Sequence, residues 1–317
     1  MAEPEGTFTA VDTSLRPPGE FLASVATVND LHLGERVCGV LHGVDVGPTL
    51  QIDPGDEPYP TLMSRAAINE IAAISPDAVV VKGDLTSSGL AAEHAQFGEL
   101  YRSAFADRML VTLGNHDKPG DGGELPPYPS VQSTDLPGVT LAVVDTARPG
   151  RPGGEVTAEQ ADWLDELAAR ADRPVLVFGH HPADGDDMHV FGQAAAEAAC
   201  LDPESTQRLI AVVSRRPAVV GYFAGHTHRN KVRHLACTGS FPWVEVACVK
   251  DFPGSWAEYR IHEAGIVQVH HRIEDPDAVR WSERCRAMFA GFYPVYAMGE
   301  ETDRCFQIPL RAGSRAS

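Results

Sequence analysis

Apolar and polar positions follow two different periodicities along the chain up to Gly225. Runs of about four to eight apolar residues, typical of buried strands, alternate with longer segments whose apolar positions recur at helical spacing. The pattern predicts strands at 21–28, 78–81, 109–113, 139–146, 174–179 and 218–225. It predicts helices at 62–75, 90–105, 157–171 and 202–216.

Three of these helices carry recognisable end signals. Thr157 and Gln160 have the spacing of a capping box, in which each side chain caps the backbone amide of the other residue. Asp202 is predicted as the N-cap of the helix at 202–216, and Pro203 then lies in the first turn, where proline is common. Pro76 ends the helix at 62–75, because proline disfavours helical backbone in the residue before it.

The pattern changes after residue 240, where strands follow one another without helices between them. Strands are predicted at 243–249, 257–263 and 266–273, and the sequence HEAG joins the last two as a hairpin. A helix near 276–290 and an irregular tail follow. Alternating elements followed by a strand-rich segment predict a layered α/β domain with helices outside packed sheets.

The segments outside these elements suggest how the chain is organised. Residues 1–20 are acidic and rich in proline, and we expect a flexible lead. Residues 21–275 form the predicted domain, and residues 276–317 form a helix and tail packed on it. The segments 34–60, 118–138 and 147–154 are predicted as long loops, which in compact domains are often functional or mobile.

The acidic charge balance narrows the range of functions. The 317 residues include 26 Lys and Arg against 44 Asp and Glu, a net charge of −18. Such a surface repels phosphate backbones and anionic lipids, so we expect neither general nucleic-acid binding nor a membrane-surface role. A small anionic substrate stays compatible if bound cations reverse the local sign. No apolar run reaches the length of a membrane span and no signal segment is evident, so a cytoplasmic protein is expected.

The cysteines point to reduced, mostly buried thiols. The chain has six, and none forms a CxxC pair. That distribution argues against a disulfide framework and against a zinc finger. Cys38 lies near the first polar motif described below, but the sequence offers it no partner for metal binding.

Five of the predicted strands end in similar polar residues. The loops are NDLHLG, GDLTSSG, GNHD, GHHP and GHTH, and they hold six of the thirteen histidines. Each loop alone fits an ordinary turn, because Asp, Asn and Gly favour turns. Ligand sites in open α/β sheets form at the carboxyl ends of strands, so five such loops together predict a metal site with more than one ion.

The residue types favour divalent first-row metals. Carboxylate, amide and imidazole ligands suit ions of intermediate hardness, whereas Cys would favour zinc or softer ions. Residues two apart in an extended segment point the same way, so Asp30 and His32 can face one ion. His226 and His228 have the same spacing. The single carboxylate of Asp84 can bridge two ions.

These five blocks, in this order across about residues 22–229, resemble the calcineurin-like metallophosphoesterase superfamily. In style they are similar to its small bacterial cyclic-nucleotide phosphodiesterase-like members of the actinobacterial type. The resemblance implies an α/β/β/α sandwich of two packed mixed sheets flanked by helices, with a strand-rich C-terminal extension. It assigns one metal to Asp30, His32 and His228. It assigns the second to Asn115, His180 and His226, with Asp84 bridging both ions.

The resemblance also implies roles for residues that do not bind metal. His116 becomes the catalytic histidine that faces the leaving group. Such families use the first histidine of an HH pair as ligand, so His181 supports the site or faces the substrate. From the sequence itself, Asp117 and Lys118 are expected to orient the loop around His116. Lys82 is expected either to compensate local negative charge or, as is more common for such a lysine, to be a simple strand-end cation.

The implied activity is hydrolysis of phosphate esters by water activated at two divalent or trivalent metal ions, manganese or iron, with zinc as an alternative. A phosphodiesterase acting on a small or cyclic-nucleotide-like diester is expected, because few cations adjoin the motif loops to neutralise a dianionic monoester. A phosphomonoesterase or nucleotide phosphatase is the first alternative. A metal-stabilised interaction module is the second, and His116 disfavours it. The oligomeric state is left open, with a homodimer as one alternative.

Overall fold

Two six-stranded sheets pack face to face in the computed structural model, which describes residues 15, 17–41, 44–118, 128–184, 186–190, 192–308 and 310. The strands of this part of the chain are β1 (Phe21–Val28), β2 (Val37–Leu41), β3 (Val44–Gln51), β4 (Ala78–Lys82), β5 (Met109–Thr112), β6 (Val131–Leu136), β7 (Val139–Val144), β8 (Val175–Phe178), β9 (Val219–Ala224), β10 (Lys231–Arg233), β11 (Trp243–Glu245), β12 (Ser255–His262), β13 (Gly265–Arg272) and β14 (Phe306–Ile308). Its helices are α1 (Tyr59–Ile74), α2 (Ala91–Phe97), α3 (Ser103–Phe105), α4 (Ala158–Arg170), α5 (Asp186–His189), α6 (Gln193–Ala199), α7 (Pro203–Arg215), α8 (Pro276–Cys285), α9 (Tyr293–Met298) and α10 (Glu301–Arg304).

Both large sheets are mixed, as expected. The first has the order β14-β13-β12-β1-β4-β5, in which β1, β4 and β5 are parallel and β12 runs antiparallel to β1. The second has the order β10-β11-β9-β8-β7-β6, with β7, β8, β9 and β11 parallel and antiparallel strands at both edges. Strands β2 and β3 form a separate hairpin. The carboxyl ends of the central parallel strands therefore carry the predicted polar loops.

The side chains of the central strands point alternately to the two faces of each sheet, and the packing on both faces gives four layers. Val25 and Val80 pack between the sheets, together with Leu141 and Phe178 of the second sheet. Their neighbours in β1 and β4 face the opposite way, onto α1 and α8. The outer face of the second sheet packs on α4 and α7. Because each sheet buries both faces, the predicted α/β/β/α sandwich is confirmed.

The predicted helix ends are present. Thr157 Oγ1 accepts from Gln160 N at 3.3 Å, and Gln160 Oε1 accepts from Thr157 N at 2.8 Å. Asp202 Oδ1 accepts from Ser205 N at 2.7 Å, so it caps α7 as expected. These caps satisfy amides that a helix leaves without an internal partner.

Several elements differ from the sequence expectation. The predicted loop 34–60 contains the β2–β3 hairpin, and the predicted loop 118–138 contains β6. β6 is a half-exposed edge strand whose sequence, VQSTDL, offers no apolar run. The helix predicted at 90–105 is divided by a wider helical turn at Gly98–Arg102, and the Ala-rich α6 was missed.

The segment after residue 275 contains more structure than an irregular tail. α8 packs on α1, with the Trp281 ring stacked 4.1 Å from that of Tyr59. β14 joins the edge of the first sheet beside β13. Most of the predicted flexible lead and the end of the tail lie outside the described residues, so the domain limits stay a prediction. None of the described helices combines the length and apolar character needed to cross a bilayer.

Candidate metal centre

The loops that follow the parallel strands meet at one edge of the sandwich. His32 N donates to the backbone oxygen of Asp84 at 2.9 Å, which joins the loops after β1 and β4. His116 N donates to Asp84 Oδ1 at 2.9 Å, which adds the loop after β5. From the second sheet, His226 N donates to Asp30 Oδ2 at 2.9 Å. The structure thus brings together strand ends that are far apart in the sequence.

Asp84 lies between two groups of predicted ligands. Its Oδ2 is 3.4 Å from Nε2 of His32 and also 3.4 Å from Nε2 of His180. Asn115 Oδ1 lies 3.3 Å from the same His180 nitrogen. One carboxylate oxygen is therefore shared by both groups, which is what a carboxylate bridging two ions requires.

The remaining predicted ligands complete the two groups. Asp30 Oδ1 lies 3.5 Å from Nε2 of His228. His226 directs Nε2 to the backbone oxygen of Ala198 at 2.9 Å, which leaves Nδ1 as its free donor atom. Triads whose donor atoms lie within 4.8 Å of one another include Asp30–His32–His228, Asp30–Asp84–His180 and His180–His181–His226.

His32 shows that these residues fit a metal ion. Both of its ring nitrogens are buried, and no described residue gives either one a hydrogen bond. An unsatisfied buried nitrogen costs about 1–3 kcal/mol, which coordination of a cation would offset. Burial, Lys250 and His116 hold the pKa of His32 well below its usual value. The imidazole is thus neutral, the form that binds metals.

The predicted ligands are held by unusual backbone rather than by extended strands. Asp30 and His32 have φ angles of 53° and 45°, so the expected extended geometry was wrong. Left-handed backbone costs a non-glycine residue about 1–3 kcal/mol and concentrates at functional sites. The same conformation recurs at three further predicted ligands: Asp84, His226 and His228.

Two glycines allow the loops to approach this closely. A Cβ on Gly83 would lie 2.6 Å from Nδ1 of His180, and one on Gly114 would lie 2.2 Å from Oδ1 of Asp84. Both distances are far below van der Waals contact, so neither position has room for a side chain. The absence of a side chain at these two positions therefore permits the close approach of the loops.

The two histidines of the HH pair occupy different environments. His180 turns Nδ1 to the backbone oxygen of Lys82 at 2.7 Å and keeps Nε2 beside Asp84. Asp84 and Asp30 outweigh the cost of burial and raise the pKa of His180 to about 9. His181 has Thr146 Oγ1 2.8 Å from Nδ1 and the backbone oxygen of Pro152 2.9 Å from Nε2. Both ring nitrogens of His181 are therefore engaged by hydrogen-bond partners within the protein.

His116 is exposed at the edge of the cluster. Its Nδ1 lies 2.8 Å from the backbone oxygen of Ser87, and its ring packs edge-on against His32 with centroids 4.5 Å apart. The adjacent Asp117 accepts backbone bonds from Thr86 at 2.9 Å and Gly114 at 2.8 Å. These bonds tie the loop that carries His116 to the loop after Asp84.

A cavity of about 280 Å³ opens beside His116 and Asn115. Its lining includes Arg151, which also borders a neighbouring cavity of about 350 Å³. The sequence analysis did not single out Arg151, because it lies in a Pro- and Gly-rich loop that follows no predicted ligand. Three further residues near the ligands were also missed: Glu35, Lys250 and Asp251.

The chain is similar to several curated phosphodiesterases. The chain is 32% identical over 166 residues to glycerophosphodiester phosphodiesterase GpdQ of Enterobacter lignolyticus, which covers 48% of this chain and 56% of that protein. It is 30% identical over 170 residues to the cAMP/cGMP dual specificity phosphodiesterase MT0825 of Mycobacterium tuberculosis, covering 49% of each. In these two alignments the chain spans about half the length of its relatives. A probable cyclic nucleotide phosphodiesterase of Synechococcus aligns more fully, at 21% identity over 82% of this chain and 95% of that protein.

Solved structures support the fold. A dimetal phosphatase from Danio rerio superposes with a TM-score of 0.60 at 13% identity, covering 81% of this chain and 98% of that chain. A family model described as calcineurin-like phosphoesterase matches residues 23–230, which include the strand-end loops of the site. The family depends on two metal ions, and the described residues include clusters that fit them. This chain therefore belongs to the calcineurin-like phosphoesterase family.

Proposed function

We propose that this protein is a phosphodiesterase that uses two metal ions, manganese or iron, to hydrolyse a small or cyclic-nucleotide-like diester. The first ion would be held by Asp30, His32 and His228, and the second by Asn115, His180 and His226, with Asp84 shared. When bound, the ions supply charge neutralisation at the phosphoryl oxygens and activation of water. The net charge of −18 supports a small substrate over nucleic acid.

His116 is the residue we assign to the leaving group. Since a carbonyl oxygen can only accept, Nδ1 carries a proton and donates to Ser87 O, which fixes the ring. Nε2 is then the nitrogen available to substrate in the adjoining cavity. In the imidazolium form it can give its proton to the departing alkoxide, a contribution typically worth about 10²- to 10⁴-fold in rate.

The proposed preference for a diester rests on the hydrogen-bond and ion-pair partners of the cationic side chains near the motif loops. Lys82 donates to the backbone oxygen of Ala224 at 2.7 Å, and burial lowers its pKa to about 7. Lys118 lies 2.7 Å from Asp145, and Arg229 lies 2.8 Å from Glu245. Within the described residues these three cations are therefore engaged by protein acceptors, and Arg151, in the lining of the cavity beside His116, is a fourth cation that no described ion pair engages. A monoester dianion needs more positive charge around its terminal oxygens than a diester monoanion does.

A comparison of matched chromogenic substrates tests this proposal. In the presence of Mn²⁺, we expect a higher kcat/KM for bis(4-nitrophenyl) phosphate than for 4-nitrophenyl phosphate, and hydrolysis of a cyclic nucleotide. The Asp84→Asn variant, purified in parallel, identifies any contaminating activity, because it should be inactive on both. A clear preference for the monoester would instead support a phosphatase.

A further inference from the structure

The two histidines assigned to the first metal position each lie between two carboxylates. His32 has Asp84 Oδ2 3.4 Å from Nε2 and Glu35 Oε2 3.4 Å from Nδ1. His228 has Asp30 Oδ1 3.5 Å from Nε2 and Asp251 Oδ2 3.6 Å from Nδ1. In both rings one nitrogen faces a predicted metal ligand, and the other faces a carboxylate that the ligand assignment does not include.

The second metal position is supported differently. His180 turns its other nitrogen to the backbone oxygen of Lys82 at 2.7 Å, and His226 turns its own to that of Ala198 at 2.9 Å. Both partners are neutral carbonyls. A carboxylate behind an imidazole fixes the ring and increases its basicity as a ligand, and a neutral carbonyl does so less strongly. The two positions therefore differ in the charge behind their histidines.

A buried lysine joins the two carboxylates. Lys250 Nζ lies 2.7 Å from Glu35 Oε2 and 3.6 Å from Asp251 Oδ2. Tyr59 donates to Glu35 at 2.5 Å, and Tyr293 donates to Asp251 at 2.6 Å. These bonds stabilise the charges and restrict the carboxylates to the orientations that face the histidines, because a buried carboxylate without partners is strongly destabilised.

We propose that Glu35, Lys250 and Asp251 act as positioning residues that set the geometry and affinity of the first metal position. This rests on the ligand assignment of the proposed function. Lys250 and Asp251 lie beyond residue 230, where the family match ends, as does Tyr293 in α9. The strand-rich extension therefore contributes directly to the metal centre rather than only covering the sheet.

Metal binding by Glu35→Gln and Asp251→Asn tests the proposal without measuring turnover. Each substitution keeps the shape of the side chain and removes its charge. Equilibrium dialysis of metal-free protein against Mn²⁺ should show one of two ions bound about 10- to 100-fold more weakly, with the other unchanged. The Mn²⁺ electron paramagnetic resonance spectrum should change from a coupled pair to a single ion at intermediate concentrations.

Glu258→Gln is the matched control. Glu258 also pairs with a histidine, His271, at 3.0 Å, but this pair lies on β12 and β13 and includes no predicted ligand. Both ions should bind to the Glu258→Gln variant with wild-type affinity. If Asp251→Asn does not fold, Glu35→Gln, at a site with a 14% exposed side chain, carries the test.

Unchanged affinity for both ions in the Glu35 and Asp251 variants would overturn the positioning role, as would equal weakening of both ions. Either result leaves the proposed hydrolysis intact. A wild-type protein that binds two ions but cleaves no phosphate ester would refute the proposed function while leaving the positioning role testable. A wild-type protein that binds no ion would refute both.

Discussion

Thr146 Oγ1 lies 2.8 Å from Nδ1 of His181, and the same hydroxyl accepts the backbone amide of His181 at 3.1 Å. With Pro152 O at the other ring nitrogen, this side chain has no donor atom left for a cation. Its proximity to His180 and His226 nevertheless makes it a candidate ligand by distance alone. The hydrogen-bond partners of the two histidines of the HH pair therefore distinguish their roles more clearly than their distances from the other predicted ligands do.

The metal content of single variants should distinguish the role of His180 from that of His181. His180→Gln removes a predicted ligand, so we expect the protein to retain about one ion instead of two, measured by mass spectrometry of metals. His181→Gln should retain both ions and change mainly the kinetics, because loss of a supporting residue has a milder effect. The reverse pattern would exchange the two roles.

Asp84→Asn should lower metal content to one ion or none and reduce turnover by orders of magnitude, because its carboxylate faces both ligand groups. Asp77→Asn is a suitable control. Asp77 precedes the same strand, β4, at its opposite end and accepts from Ser24 N at 2.9 Å. Normal turnover and two tightly bound ions in the Asp84 variant would exclude a bridging role.

His116→Gln should affect diesters according to their leaving group. Loss of a proton donor is harmful when the leaving alkoxide is a strong base and unimportant for 4-nitrophenolate. We expect kcat/KM to fall by about 10²-fold or more for an alkyl ester or a cyclic nucleotide, and far less for bis(4-nitrophenyl) phosphate. Equal losses on both kinds of substrate would remove the general-acid assignment.

The sequence predicted those parts of the fold and site that are encoded locally. β1 spans Phe21–Val28 as predicted, because eight mostly apolar residues are hard to place elsewhere than in a buried strand. The histidines that follow such runs were found for the same reason. The Lys250–Glu35 pair was not, because its partners are 215 positions apart and no short pattern relates them. The left-handed backbone of Asp30 was also unpredictable, since in non-glycine residues it is imposed by tertiary contacts.

Arg151 is expected to contact the bound substrate. It lines the cavity beside His116, and no ion pair engages it within the described part of the chain. Loss of a charged hydrogen bond of about 1.5–3 kcal/mol should raise KM roughly 10-fold or more in Arg151→Gln, with kcat little changed. Arg148→Gln is the control, because Arg148 borders only the other cavity and lies 3.5 Å from Asp202. Equal effects of the two variants would argue against a specific contact.

A buried histidine outside the site should make stability depend on pH. His270 is 2% exposed, and its Nε2 lies 3.3 Å from Asn230 Nδ2, so the neutral ring accepts from the amide. Burial and the cations Arg304 and Arg272, with His271, lower its pKa from 6.5 to about 3. The unfolded chain therefore binds more protons than the folded protein between about pH 3 and 6.5, and stability from this group rises with pH across that window. Between pH 5 and pH 8 the contribution of His270 to the free energy of unfolding increases by about 2 kcal/mol.

Urea unfolding of the metal-free wild-type protein and of His270→Gln, each at pH 5 and pH 8, measures this contribution. The change in unfolding free energy between the two pH values should be larger for the wild type, and the difference between the two proteins is the contribution of His270. If the variant is as sensitive to pH as the wild type, His270 is not a source of the acid sensitivity.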